Sequence, residues 1–155
     1  MEIAISYSYG PLQGKDKVIA LERALRDLPE SLSVEEMTEK YTEHLFGPGV
    51  YVRTMKVSAG MCVVGKTHRE ACVNILVSGT MRVVSEFGEE TVTGPRTWLG
   101  EPGIKRAGYA ITDVEWINIH PNPTDTQDLK EIESRVIVPE RPELTDNKTH
   151  ELGRE

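Results

Sequence analysis

The 155-residue chain lacks several features that would assign it to a common class of protein. Its only cysteines, Cys62 and Cys72, are too few for a disulfide framework. No run approaches the roughly 18–20 consecutive apolar residues that span a bilayer, and the N-terminus has no basic segment followed by an apolar one. The formal net charge of −7 argues against a general nucleic-acid surface. We therefore expect a cytoplasmic protein that binds neither membranes nor nucleic acids in general.

Sequence signatures of several catalytic sites are also missing. The chain contains no Gly-rich phosphate loop, no paired-carboxylate site, no Ser/His/Asp arrangement and no CxxC pair. Its length corresponds to one domain with a working core, but a hydrophobic share of 38% is low for a fully globular chain. Part of the chain is therefore expected to pack poorly.

Three zones differ in their residue patterns. They are a helical N-terminal extension over 1–48, a β-rich zone over 50–120, and a C-terminal helix with a mobile tail over 121–155. In the first zone, an apolar stripe from Val18 to Leu28 predicts a helix that stops at Pro29. We expect the N-terminal helices to cover one face or end of the β-structure, or a subunit contact.

A second helix is predicted to begin after Ser33, whose side chain caps free N–H groups while Glu36 reaches back to it. Its apolar face has helical spacing and consists of Val34, Met37, Tyr41 and Leu45. Near the C-terminus, a short helix is predicted over 126–134, with Thr126 as its cap. Deletion of residues 140–155 is expected to leave folding nearly unchanged, because this tail has no periodic apolar face.

The middle zone is dense in short β-strand patterns. The predicted strands are 51–57, 73–77, 81–84, 90–93, 96–99, 109–112 and 114–119. Turn signals such as Ser78-Gly79 and Gly94-Pro95 separate them. Short strands at this spacing predict an all-β sandwich or barrel.

Four segments of the middle zone carry a family resemblance: Gly65-Lys-Thr-His68, Asn74-Ile-Leu-Val-Ser-Gly79, Pro102-Gly-Ile-Lys-Arg106 and Ile117-Asn-Ile-His120. They resemble the cupin superfamily, and more narrowly the small cupin-like proteins carried by tailed bacteriophages. The resemblance implies an all-β, cupin-like jelly-roll barrel, here with two N-terminal helices and a short C-terminal helix. It also implies a homodimer, and a host-cytoplasmic location if the chain is phage-encoded.

The metal ligands of the cupin motifs are mostly replaced in this chain. The spacing from Gly60 to Gly79 fits the first motif without a gap, but Lys66 and Cys72 stand at two of its three ligand positions. Arg106 stands at the ligand position of the second motif, so only His68 is retained. The resemblance therefore implies a degenerate metal site, and we expect no bound cofactor.

The residue types at these positions favour an anion site instead. A strand over this segment would turn Lys66, His68 and Glu70 to the same side, with Arg106 on the opposite wall. Arginine offers a planar fork for phosphate or carboxylate, and lysine offers a mobile charge. The predicted ligand-binding set is Lys66, His68, Cys72, Asn74, Lys105, Arg106, Trp116 and His120.

Competing interpretations stay open for several of these residues. Lys105 and Arg106 also suit a solvated turn, Trp116 suits a core position, and Cys72 suits a small buried hydrophobe. A divalent metal held by His68, Cys72 and His120 is an alternative, although lysine and arginine cations beside it would oppose its binding.

Three functions follow from these interpretations. The first is a protein that binds a phosphate- or carboxylate-bearing small molecule in the barrel. The second is an isomerase, epimerase or lyase in which His68 is the catalytic base, because an imidazole exchanges protons near neutral pH. The third is a phage accessory or structural protein that uses the barrel as a scaffold.

Overall fold

The computed structural model describes residues 15–139. In this range it has helices α1 (Lys15–Arg26), α2 (Val34–Tyr41) and α3 (Leu129–Val136). The strands are β1 (Thr42–Gly47), β2 (Val50–Val57), β3 (Cys62–Val64), β4 (Cys72–Ser78), β5 (Thr80–Ser85), β6 (Gly88–Thr93), β7 (Arg96–Gly100), β8 (Arg106–Ala110) and β9 (Val114–Pro121). The predicted tail over 140–155 lies outside the described residues.

The strands form two antiparallel sheets with a nested pairing. The first sheet has the order β1-β2-β9-β4-β7 and the second has the order β3-β8-β5-β6. Strand β2 pairs with β9, β3 with β8, β4 with β7 and β5 with β6, so successive pairs of one long ribbon alternate between the two sheets. This arrangement is a jelly roll, and the prediction of a cupin-like, all-β fold is confirmed.

One end of the barrel is closed by apolar side chains from both sheets. Alternation along β2 and β9 turns Val57, Val114 and Trp116 inward, and β4 contributes Leu76. The buried cluster consists of Val57, Leu76, Met81, Val92, Ala110, Val114 and Trp116. The alternation of buried and outward-facing residues selects this strand register. A shift of one strand by one residue would turn its buried apolar side chains to solvent.

The first two helices lie where the sequence predicts them, with one correction. Ser33 accepts from the Glu36 N–H, and the Glu36 carboxylate accepts from the Ser33 N–H, so the predicted capping box is present. Helix α2 ends at Tyr41, however, and Leu45 lies in β1 rather than on a helical face. The last predicted helical turn would start at Thr42, a β-branched residue that favours a strand over a helix. Pairing of β1 with β2 therefore decides the structure of this segment.

The N-cap of helix α3 lies two residues after Thr126, the cap predicted for it. Asp128 is the N-cap and accepts from the Lys130 N–H at 2.9 Å, while Thr126 accepts from the Asp128 N–H and contacts Glu131. The apolar face of α3 packs on Tyr51, which places the helix over the barrel end opposite the apolar cluster. None of the three helices between residues 15 and 139 has the length and apolar character of a membrane-spanning segment.

Candidate functional site

Beyond the apolar cluster, the inner face of the first sheet becomes polar. In β2, the alternation that buries Tyr51 and Val57 also turns Arg53 toward the interior. Arg53 lies opposite Asn118 of β9, which in turn lies opposite Asn74 of β4. The barrel therefore has one apolar end and one polar end.

The second sheet adds a further arginine to the polar end. Arg106 is the first residue of β8 and shares the parity of Ala110, which lies in the apolar cluster. It pairs with Ser85 of β5. Its guanidinium is close enough to His68 and Cys72 to affect the pKa of both. The alternative of a solvated turn does not describe Arg106, because pairing with β5 places it in the sheet.

Three potential metal-binding or nucleophilic side chains meet at the centre of the polar end. The Cys72 Sγ lies 3.3 Å from the His68 Nδ1. The rings of His68 and His120 pack edge to face with centroids 5.0 Å apart. The ligand atoms of His68, Cys72 and His120 all lie within 4.8 Å of one another. We call these three residues, together with Arg53 and Arg106, the polar site.

A buried hydrogen-bond network connects the polar site to the core. The Asn74 Oδ1 accepts from the Trp116 Nε1 at 3.2 Å and from the Asn118 Nδ2 at 2.6 Å. Trp116 also packs edge to face on Trp98, with centroids 4.8 Å apart. Because Trp116 has a single N–H donor and it is used within the protein, this residue acts as core rather than as a hydrogen-bonding contact for a ligand. The Asn74 side chain also makes its hydrogen bonds within the protein, since its Nδ2 donates to the Cys72 carbonyl oxygen.

The two predicted lysines each form an ion pair with a helix. The segment 65–71 between β3 and β4 is irregular apart from a bridge between His68 and Ile137, so strand parity does not hold there. The Lys66 Nζ instead pairs with Glu133 of α3. The Lys105 Nζ lies 2.9 Å from a carboxylate oxygen of Glu22 on α1, and its side chain is only 5% exposed. The strand alternation from which the alignment of Lys66 with His68 was predicted is therefore absent from this segment, and the Lys105 side chain is buried rather than solvated.

In the polar site, the imidazole rings of His68 and His120 are neutral and lie near the positive charges of Arg53 and Arg106. Burial lowers the pKa of His68, and the charges of Arg53 and Arg106 lower it further. Burial is also the main cause that lowers the pKa of His120 to about 4, with His68 and Arg53 adding to it. Burial raises the pKa of the Cys72 thiol, and an Asn74 hydrogen bond and Arg106 act in the opposite direction.

The two guanidinium groups lack acidic partners in the described chain. Between residues 15 and 139, neither Arg53 nor Arg106 forms an ion pair or a side-chain hydrogen bond. Both are partly buried. Arg53 is absent from the residues predicted from sequence, although the alternation of β2 placed it on the same face as Tyr51. Asn118 is also absent from the predicted residues, although it lies on the same face of β9 as Trp116 and His120.

The cupin motifs imply a metal, and the donors present allow that to be tested. Two histidine nitrogens and a cysteine sulfur are ligands that Zn²⁺ and other borderline or soft metals accept. With bond lengths of about 2.3 Å to sulfur and about 2.0 Å to nitrogen, tetrahedral binding needs a sulfur–nitrogen separation of roughly 3.5 Å. The observed 3.3 Å between Cys72 and His68 is close to that value. The donors fit, whereas Arg53 and Arg106 oppose a dication.

No protein-family model and no curated protein sequence matches the chain. Among solved structures, it is similar to a cupin-2 conserved barrel domain protein from Salinispora arenicola, with 14% identity, TM-score 0.47 and coverage of 54% of this chain and 76% of that one. A cupin-2 domain protein from Shewanella frigidimarina gives 14% identity, TM-score 0.43 and coverage of 52% and 80%. The oxalate decarboxylase of Lactobacillus farciminis has 16% identity to the chain and a TM-score of 0.47. The similarity covers 63% of this chain and 30% of the decarboxylase. The strand orders β1-β2-β9-β4-β7 and β3-β8-β5-β6 identify the jelly roll independently of these similarities.

The protonation of His120 predicts a dependence of stability on pH. The folded-state pKa of about 4 is depressed below the unfolded value of about 6.5, so the unfolded chain binds the proton more readily. Stability is therefore full above pH 6.5 and is lost as the pH falls from 6.5 toward 4. Linkage gives a loss of roughly 2 kcal/mol from His120 between pH 7 and pH 5.

Urea unfolding of the wild type and of His120→Gln at both pH values measures this contribution. Because the carboxylates titrate alike in the two proteins, the difference between their pH profiles isolates His120. We expect a flatter profile for the variant. Parallel profiles would show that His120 takes up a proton in the folded state as readily as in the unfolded one.

Proposed function

We propose that the polar end of the barrel binds a small molecule that carries a phosphate or carboxylate group, held between Arg53 and Arg106. The observation that carries this proposal is the convergence of the two guanidinium groups, from opposite sheets, on His68. Neither group has an acidic partner within residues 15–139.

Electrostatics favour an anion at this position. A partly buried charge without a partner is costly, and two like charges facing one site add mutual repulsion. A bound anion removes both costs and accepts the paired N–H groups that a guanidinium presents in one plane. His120, being neutral near pH 7, offers an N–H donor without adding charge.

The same arrangement supports proton transfer as an activity of the site. The lowered pKa of His68 leaves its imidazole unprotonated at neutral pH, as a general base requires. Its Nδ1 contacts the Cys72 sulfur, which fixes the orientation of the ring. With an anionic substrate on the arginines, His68 would accept a proton from a neighbouring carbon or hydroxyl, the chemistry of an isomerase, epimerase or lyase. His68→Ala should then remove turnover while leaving most of the binding.

A ligand screen followed by titration tests the anion site. Phosphorylated sugars, nucleotides and dicarboxylates would be screened for thermal stabilisation, and the best compound measured by isothermal titration calorimetry. Arg106→Ala should weaken its binding by about 1.5–3 kcal/mol, or roughly 10- to 150-fold. Arg82→Ala is the matched control, since Arg82 is exposed and pairs with Glu89. Equal affinity for wild type and Arg106→Ala would place the ligand elsewhere.

A metal centre is the second candidate, because His68, Cys72 and His120 bring their donor atoms together. These three residues would hold the ion, which when bound would supply Lewis-acid chemistry. The chain's own contribution is to release the Cys72 proton, and Arg106 assists this by lowering the thiol pKa against the effect of burial.

Titration with Co²⁺ distinguishes the two candidates without an activity assay. If the three residues bind a metal, a near-ultraviolet thiolate-to-cobalt absorption band should appear, and Cys72→Ala should abolish it while Cys62→Ala keeps it. Absence of the band at millimolar Co²⁺ and pH 8 would exclude a thiolate-bound metal and leave the anion site alone.

A further inference from the structure

The segment that carries His68 is hydrogen-bonded to the segment that leads into β8. The Gly103 N–H donates to the His68 carbonyl oxygen at 2.9 Å. The Gly65 N–H donates to the Arg106 carbonyl oxygen, also at 2.9 Å. These two bonds connect the irregular stretch between β3 and β4 with the turn between β7 and β8. The backbones of His68 and Arg106 therefore depend on each other for their positions.

Helix α1, which packs against β5 and β8, contacts the same turn from its two ends. In its first turn, the Lys15 Nζ donates to the Gly103 carbonyl oxygen. Two turns further on, a carboxylate oxygen of Glu22 lies 2.9 Å from the Lys105 Nζ. Between these contacts, Val18 is fully buried. The helix is thus anchored to the turn by one apolar side chain and two polar contacts.

The contact between Glu22 and Lys105 is shielded from water. The Lys105 side chain is buried and that of Glu22 is partly buried, so breaking the pair would leave an ammonium group in a poorly solvated place. Glu22 also accepts from the Arg26 Nη2 at 3.2 Å, one helical turn along α1, which orients its carboxylate. Lys105 directly precedes Arg106, so this pair fixes the backbone where β8 begins.

We infer that α1 positions the anion site, with Glu22 and Lys105 as positioning residues for the Arg106 guanidinium, a role that rests on the anion binding proposed above. Holding the start of β8 sets the direction from which Arg106 enters the barrel. Holding Gly103 sets the position of His68 through the hydrogen bond between them. A site held in its binding geometry before the anion arrives loses less conformational entropy on binding.

Glu22→Gln separates positioning from simple electrostatics by the sign of its effect on the binding of inorganic phosphate. If charge alone mattered, removing a carboxylate from the surroundings of a cationic site would tighten phosphate binding. If α1 positions the site, the dissociation constant should instead rise by at least about 5-fold. The matched control is Asp16→Asn, which removes an exposed carboxylate from the same helix and should change the constant by less than about two-fold. Isothermal titration calorimetry measures all three proteins.

Nuclear magnetic resonance of the ligand-free protein tests the positioning role without phosphate. Glu22→Gln should shift the ring signals of His68 at pH 8 and should speed the hydrogen exchange of the Gly103 amide, because their shared hydrogen bond is no longer held by α1. The ring signals of His44, which lies on β1 of the other sheet, should not move. A uniform loss of stability would not produce this local pattern.

Lys105→Met provides a second variant in case Glu22→Gln, with its unpaired buried ammonium, fails to fold. Methionine keeps an unbranched side chain at this position, and Glu22 retains Arg26 as a partner. Tighter phosphate binding in Glu22→Gln, or unchanged His68 and Gly103 signals in either folded variant, would overturn the inference. Absence of phosphate binding in the wild type would overturn the anion site itself, and the His68 and Gly103 signals would then decide the role of α1.

Discussion

Leu76→Ala is expected to lower the free energy of unfolding by about 2–5 kcal/mol. Leu76 is fully buried and lies on β4, where the two sheets meet in the apolar cluster. Removing its side chain costs the transfer free energy of the lost methyl and methylene groups and leaves a cavity. Collapse of that cavity is limited, because β4 is held in register by hydrogen bonds to β7 on one side and β9 on the other.

Urea denaturation at a fixed protein concentration measures this loss, since dimer formation would make stability depend on concentration. Leu28→Ala is the matched control, because Leu28 is 36% exposed beyond the end of α1 and its truncation should cost no more than about 0.5 kcal/mol. A loss below 1 kcal/mol for Leu76→Ala would show that this end of the barrel is not closed by a packed core.

The double variant Arg53→Ala/Arg106→Ala should lose anion binding almost completely while keeping its fold. Each charged hydrogen-bonding group contributes about 1.5–3 kcal/mol, so together they account for roughly 10²–10⁴-fold in affinity. In the proposed site both arginines would contact one ligand, so their contributions need not add, and the single variants are measured alongside.

Stability should change in the opposite direction from binding. Without a ligand, Arg53 and Arg106 place two like charges beside one partly buried site, so their removal should leave the melting temperature unchanged or higher. A variant that loses both binding and several degrees of melting temperature would indicate that the arginines hold the barrel together. Calorimetry and thermal unfolding on the same samples provide both values.

The fold could be predicted from sequence because its determinants are local. Turn residues such as Ser78-Gly79 separate the strands, and Gly79 has the positive φ of 88° that its turn demands. The Ser33–Glu36 capping box fixes the start of α2 in the same local way. Where a tertiary partner decides, prediction failed: β1 replaces the last helical turn because β2 offers it a ladder of hydrogen bonds.

The site was predicted less well, since it depends on contacts between distant segments. Lys66 matched the motif spacing, but its ion-pair partner is Glu133 of α3, 67 residues further along the chain. Lys105 likewise pairs with Glu22 of α1, which no local pattern reveals. The meeting of His120 with His68 and Cys72 depends on the register of β9 against β4, which sequence spacing does not specify. The inward position of Arg53 could have been predicted from sequence, because alternation along β2 puts it on the same face as Tyr51 and Val57.

The most direct test of the proposed anion site is the structure of a crystal soaked in tungstate, an anion located by its anomalous scattering. We expect the strongest anomalous peak to lie between the guanidinium groups of Arg53 and Arg106, within hydrogen-bonding distance of both, and to be absent from Arg53→Ala/Arg106→Ala crystals. A strongest peak elsewhere on the molecule, with no density between the two arginines, would contradict the proposal that the polar end of this barrel is an anion site.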